Sequence, residues 1–140
     1  MKNNYFKSIE SASLGQAFPL DKAINELSFN DQGLIAVITQ DFTSKDVLMM
    51  AWMNLSALLK TLDTGQMTYW SRSRNALWIK GETSGHTQEL VEMSFDCDGD
   101  TILCKVNQKG AACHTRRPNC FYLKTQVQNN QIVVVSEQIE

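Results

Sequence analysis

No run in this sequence approaches the roughly eighteen apolar residues that a membrane-spanning helix needs, and Met1 to Gln16 lack the apolar core of a secretory signal. The expectation is a cytoplasmic protein with no membrane partner. Charge of one sign is missing as well: 13 basic and 15 acidic residues leave a formal charge of -2, with no acidic or basic half. Such a chain has no electrostatic footprint for wrapping nucleic acid, so any phosphate it holds is small and held locally. Repeats and low-complexity tracts are also absent. The four cysteines all fall between Cys97 and Cys120, and in a reducing compartment they argue for metal binding or catalysis more than for disulfides.

What is present is enough for one packed core: 140 residues, 43% of them hydrophobic. Residues 1–19 are polar, end at Pro19 and show no sustained period, which predicts a loosely ordered extension ahead of a single domain over residues 20–140. From Leu34 the pattern is short and β-rich. Strands are predicted at Leu34 to Thr39, Val47 to Trp52, Met67 to Trp70, Leu77 to Lys80, Gln88 to Phe95, Thr101 to Val106, Phe121 to Thr125 and Ile132 to Val135. Leu55, Leu58, Leu59 and Leu62 recur at helical spacing after an Asn54 cap, with Gly65 beyond the end, and a weaker helix covers Leu20 to Leu27. The fold class expected is mainly β or α+β, a compact, barrel-like domain with one or two helices.

The segment "FDCDGDTILC" sets Asp96, Asp98 and Asp100 at every second position, where an extended backbone aims them to one side, as a hard divalent cation requires. The alternative is a solvated Asp-Gly hairpin turn between paired strands. A calcium EF-hand is excluded, because its sixth and twelfth positions would fall on Thr101 and Asn107. On the same extended backbone Cys97 points away from the aspartates, toward another site. Downstream, "GAACHTRRPNCFY" brings Cys113 and Cys120 within reach of one ion across a loop containing Pro118. Three thiolates fit a catalytic zinc with one position left for water, against the alternative of inert buried cysteines; the spacing matches no common finger. Cys104 alternates with Ile102 and Val106 and belongs to the core. His114 is the candidate general base, with a fourth zinc ligand or a surface histidine as alternatives.

Taken together, "VLMMAWMNLSALLKTLDTGQMTYWSRSRNALWIKGETSGHTQ", "DCDGD" and "CHTRRPNCF" resemble the phosphoribosyl-AMP cyclohydrolase family from about Leu34 to Tyr122. The resemblance implies magnesium on Asp96, Asp98 and Asp100, zinc on Cys97, Cys113 and Cys120, and His114 as general base. It implies a nucleotide substrate with two phosphates, for which Arg72, Arg74 and Lys80 are candidate contacts, with exposed-strand alternation as the other reading of each arginine. Glu82, Ser84 and His86 are placed near the base or ribose. Trp52, Trp70 and Trp78 read as core. The resemblance further implies a monofunctional enzyme of histidine biosynthesis and an intertwined homodimer whose zinc is shared, Cys97 coming from one chain and Cys113 with Cys120 from the other; a monomer with a strongly twisted hairpin is the alternative. Two departures stand out, Arg116 where the family commonly has glycine and Asn119 where it has serine. The rival classes are a zinc nucleobase deaminase, whose paired motifs are missing, and a small zinc binding module, which would need four closed ligands and a basic or aromatic face.

Overall fold

The computed structural model describes residues 5–139. In chain order its elements are α1 (Tyr5–Ser8), α2 (Leu20–Asn25), β1 (Ile35–Asp41), β2 (Val47–Met53), α3 (Leu55–Thr64), β3 (Thr68–Ser71), β4 (Ala76–Ile79), β5 (Gln88–Phe95), β6 (Thr101–Gln108), β7 (Leu123–Gln126) and β8 (Gln131–Val134). The predicted strands and helices are all there, with ends shifted by no more than two residues, and the fold is α+β with strands dominant.

Alternation does most of the folding. In β1 it turns Ile35, Val37 and Thr39 inward, and in β6 it turns Ile102, Cys104 and Val106 inward. These two strands lie side by side, parallel, with Val37 opposite Ile102 and Thr39 opposite Cys104. Hairpin partners flank them antiparallel, giving the order β2-β1-β6-β5. The sheet stays open, so the expected barrel is approached rather than closed. Its far edge is met by the segment entering β3, through an isolated bridge between Gln66 and Glu89 and the hydrogen bonds Met67 N to Gln88 O (2.9 Å) and Leu90 N to Gly65 O (2.8 Å). β3 and β4, four residues each, are too short to continue that seam along the eight residues of β5.

A buried polar chain ties the two sheets together. The Thr39 hydroxyl and the Tyr69 hydroxyl are 2.7 Å apart, Tyr69 donates to Gln88 Oε1 at 2.6 Å, and Gln88 Nε2 donates to Gln108 Oε1 at 2.8 Å. Thr39, Tyr69 and Gln88 are fully buried, so each unmade bond would cost about 1–3 kcal/mol, and the set fixes β1, β3, β5 and β6 in one register.

Helix α3 starts where predicted: the Asn54 side chain accepts from Ala57 N at 2.8 Å, and Gly65 ends it, donating to Thr61 O. Its buried face differs from the predicted leucine stripe. Ala57, Leu58 and Thr61 face the core, while Leu55 and Leu59 are exposed. Thr61 sets this rotation, because its hydroxyl donates to Ala57 O and accepts from Thr68 N at 3.0 Å, pinning the helix to β3. Within the predicted extension, Tyr5–Ser8 form a helical turn whose Phe6 joins the core; residues 1–4 lie outside the described part. At the other end, β7 and β8 form a hairpin with Leu123, Ile132 and Val134 exposed.

Candidate active site

The turn between β5 and β6 carries the three aspartates, and one oxygen from each lies within 4.8 Å of the others. They converge, but not by the strand alternation expected from sequence. Residues 97–100 are turn and bend. Asp96 Oδ1 accepts from Asp100 N at 2.9 Å and Thr101 N at 3.3 Å, and Gly99 N donates to Asp96 O at 3.1 Å. The chain therefore wraps around the Asp96 carboxylate. This donor set suits a hard, oxygen-seeking cation. Cys97, beside them, is exposed.

Cys113 and Cys120 meet in the loop after β6. The two thiols are near enough for each to act on the other's titration. Cys120 is held to β2 through its N–H, which donates to Leu48 O at 2.8 Å, and Cys113 N donates to Arg117 O at 3.2 Å. Burial pushes the Cys113 thiol up, but hydrogen bonds from the Thr115 hydroxyl (3.1 Å) and backbone, with Cys120 and the Lys80 charge, bring it below its ordinary value. Burial and then the neighbouring Cys113 charge push Cys120 up to about 11. A site tuned in this way favours one thiolate readily and resists the second, unless a cation compensates both. Cys97 forms no metal-sized group with these two thiols among the described residues. Cys104 is fully buried, and desolvation raises its thiol to about 12, as befits core.

A cleft of about 640 Å³ opens beside the thiol pair. Arg74, Lys80, Glu82, Ser84, His86, Cys113, His114 and Arg116 line it, together with Trp78. Lys80 is buried; its ammonium donates to Ala112 O at 2.6 Å and lies 5.4 Å from the Trp78 ring centre, and desolvation lowers its pKa. His86 is fixed by close backbone approach on two sides. A Cβ on Gly110 would fall 2.5 Å from the His86 ring, and one on Gly81 would fall 2.5 Å from Thr87 N, so both positions require glycine.

Arg72 is not in this cleft. It stacks on Trp52, 5.2 Å from the ring centre, and lines a separate hollow with Trp70, Ser73 and Asn75. Trp52, Trp70 and Trp78 are half-buried where sequence placed all three in the core; Trp78 does pack against the core, on Tyr69, while also lining the cleft, and Trp70 lines the hollow. Arg117 is also committed, stacked 4.1 Å over Tyr122 and donating to Ser136 O at 3.0 Å. Sequence reasoning did not single out Thr115, whose hydroxyl serves Cys113; its place two residues on from a candidate thiol was the available signal.

The departure at Arg116 has a local consequence. Arg116 sits at φ +67°, a left-handed conformation that costs a side-chain-bearing residue about 1–2 kcal/mol and glycine almost nothing. Arg116→Gly is expected to raise Tm by a few degrees in a thermal melt. An unchanged or lower Tm would show that the turn stores no strain.

A cleft of small-molecule size beside neighbouring thiols, on a fold that also carries a convergent aspartate triad, defines a small-molecule enzyme with candidate metal donors. The chain belongs to the phosphoribosyl-AMP cyclohydrolase family, whose sequence model matches residues 49–122. Phosphoribosyl-AMP cyclohydrolase 2 of Pseudomonas fluorescens is 49% identical over 132 residues, 94% of this chain and 88% of its own length. The phosphoribosyl-AMP cyclohydrolase of Hydrogenovibrio crunogenus is 48% identical over 134 residues, 96% and 90% of the two chains. That of Hyphomonas neptunium is 63% identical over 94 residues, 67% and 72%. No helix among the described residues is long and apolar enough to cross a membrane.

Proposed function

We propose that this chain hydrolyses the N1–C6 bond of 1-(5-phosphoribosyl)-AMP, opening the adenine ring to the formimino carboxamide ribotide of histidine biosynthesis. The observation that carries this is the single cleft holding His114 and Cys113 with Arg74, Lys80, Glu82, Ser84 and His86. Cys113 and Cys120, with a third thiolate, would hold zinc, which supplies a Lewis acid that lowers the pKa of a water molecule. His114, exposed in the cleft beside Cys113, takes the proton as the water oxygen bonds to C6. The N1–C6 bond then breaks, its electron pair and a proton going to N1. Arg74 and Arg116 meet phosphate oxygens at the cleft wall, and buried Lys80 holds the thiol loop through Ala112 O. Asp96, Asp98 and Asp100 would hold magnesium.

Cys97 comes from a second copy of the chain. That Cys97 does not gather with the neighbouring Cys113 and Cys120 supports a zinc shared across a homodimer, as do the exposed apolar Ile38, Met50 and Val91 on the sheet and Leu123, Ile132 and Val134 on the β7–β8 hairpin.

Ring opening changes the chromophore, so protein supplied with zinc and magnesium should change the absorbance of phosphoribosyl-AMP. An unaltered spectrum would remove the reading. The shared site is tested by refolding two inactive variants together, Cys97→Ala and Cys113→Ala. Random pairing makes half the dimers mixed, each with one intact site, and about a quarter of wild-type activity returns. No recovery alongside a recovering wild-type control places all the zinc ligands in one chain.

A further inference from the structure

The N-terminal segment, outside the residues that match the family model, packs directly on the acidic turn. Gly99, at φ +72°, is buried beneath the Phe6 ring. A Cβ at Gly99 would fall 2.5 Å from Phe6 Cδ2 and closer still to Cε2, so the ring fills the place of a side chain there. The carbonyl of the same glycine accepts from Ser28 N at 2.8 Å, just past α2. Gly99 is thus held on its Cα by α1 and on its oxygen by the chain following α2. Its neighbours are Asp98 and Asp100, and its own N–H returns to Asp96 O.

Phe6 is itself anchored. It is 8% exposed, belongs to the core cluster with Ile24 and Leu27 of the α2 region, and stands edge-on to Tyr5 at 5.2 Å, with the Lys22 ammonium over the Tyr5 ring. Burying a phenyl ring is worth about 1.5–3 kcal/mol, enough to hold a short turn that hydrogen bonds alone would leave free to flex.

We infer that Phe6 is a positioning residue for the divalent-cation site, bracing Gly99 so that Asp96, Asp98 and Asp100 keep their oxygens converged. The inference rests on the reading of those aspartates as a metal site. The brace sets affinity for the cation by preorganising its ligands, since a turn that must be gathered on binding spends part of the binding free energy on ordering.

The test is manganese binding by the full-length, zinc-loaded protein, read by electron paramagnetic resonance of free Mn2+ and thus independent of turnover. Wild type and Asp98→Asn are compared first, then Phe6→Ala. The expected result is that Asp98→Asn abolishes the site and Phe6→Ala weakens it about 10-fold or more, with zinc content unchanged. Should Phe6→Ala be too unstable, Phe6→Leu makes the same comparison, filling the core without offering a flat ring to Gly99. A cycle adds specificity: Gly99→Ala should weaken manganese less in the Phe6→Ala background than in wild type, because the overlap is gone. If Asp98→Asn leaves manganese binding intact, the metal assignment falls and the brace with it. If Asp98→Asn abolishes binding and the Phe6 variants leave it unchanged, or if the cycle is additive, the brace alone is overturned.

Discussion

Cys120→Ala is expected to come off purification without zinc and without measurable turnover. Cys113 and Cys120 already neighbour one another, anchored from two sides by Leu48 O and Arg117 O, so the ion would find these two ligands in place and need one more. Removing either sulfur leaves too few thiolates to hold zinc against buffer, and turnover should fall by more than ~100-fold, beyond what loss of a supporting hydrogen bond does. Cys113→Ala should behave alike. Cys104→Ala supplies the control, since a fully buried thiol with its pKa near 12 is no ligand; it should keep zinc and activity. Metal analysis beside the absorbance assay decides the matter, and full zinc with full turnover in Cys120→Ala would end the assignment.

His114→Ala is expected to separate metal from chemistry. The imidazole lies on the cleft wall next to a ligand but is exposed, free to meet a water rather than being buried against the sulfurs. Loss of a general base lowers turnover by about 10²- to 10⁴-fold while zinc content stays at the wild-type level. KM should change little, because the proposed phosphate contacts are Arg74 and Arg116 rather than His114. Loss of zinc in this variant would make His114 a fourth ligand.

The two sites were legible in the sequence to different degrees, for physical reasons. Strands β1 and β6 announced themselves because one of their faces is buried and period two is then enforced residue by residue. Helix α3 was legible in its cap and end, where local hydrogen bonds act, and illegible in its rotation, which the bonding of the Thr61 hydroxyl to the Thr68 backbone of β3 decides. The convergence of the aspartates was anticipated through the wrong geometry: alternation was assumed, but a carboxylate-centred turn achieves it. Arg72 and Arg74 look equivalent in "SRSR", yet the turn after β3 sends them to different hollows, a distinction only the tertiary fold makes. The N-terminal turn was invisible because its one informative residue, Phe6, pairs with a glycine far along the chain and follows no period.

The parallel pairing of β1 with β6 also governs how the molecule is made. All the antiparallel ladders join elements adjacent in sequence, whereas Ala36 meets Thr101 only after five intervening elements have been laid down. Local hairpins close on the microsecond scale, while a contact of such long range must first overcome loop-closure entropy and is slow. The acidic turn, contained within the β5–β6 hairpin, can therefore take shape early. Its brace on Phe6 and Ser28, like the tie of Cys120 to Leu48 of β2, joins distant parts of the chain, so both candidate sites are completed only after the sheet is in place.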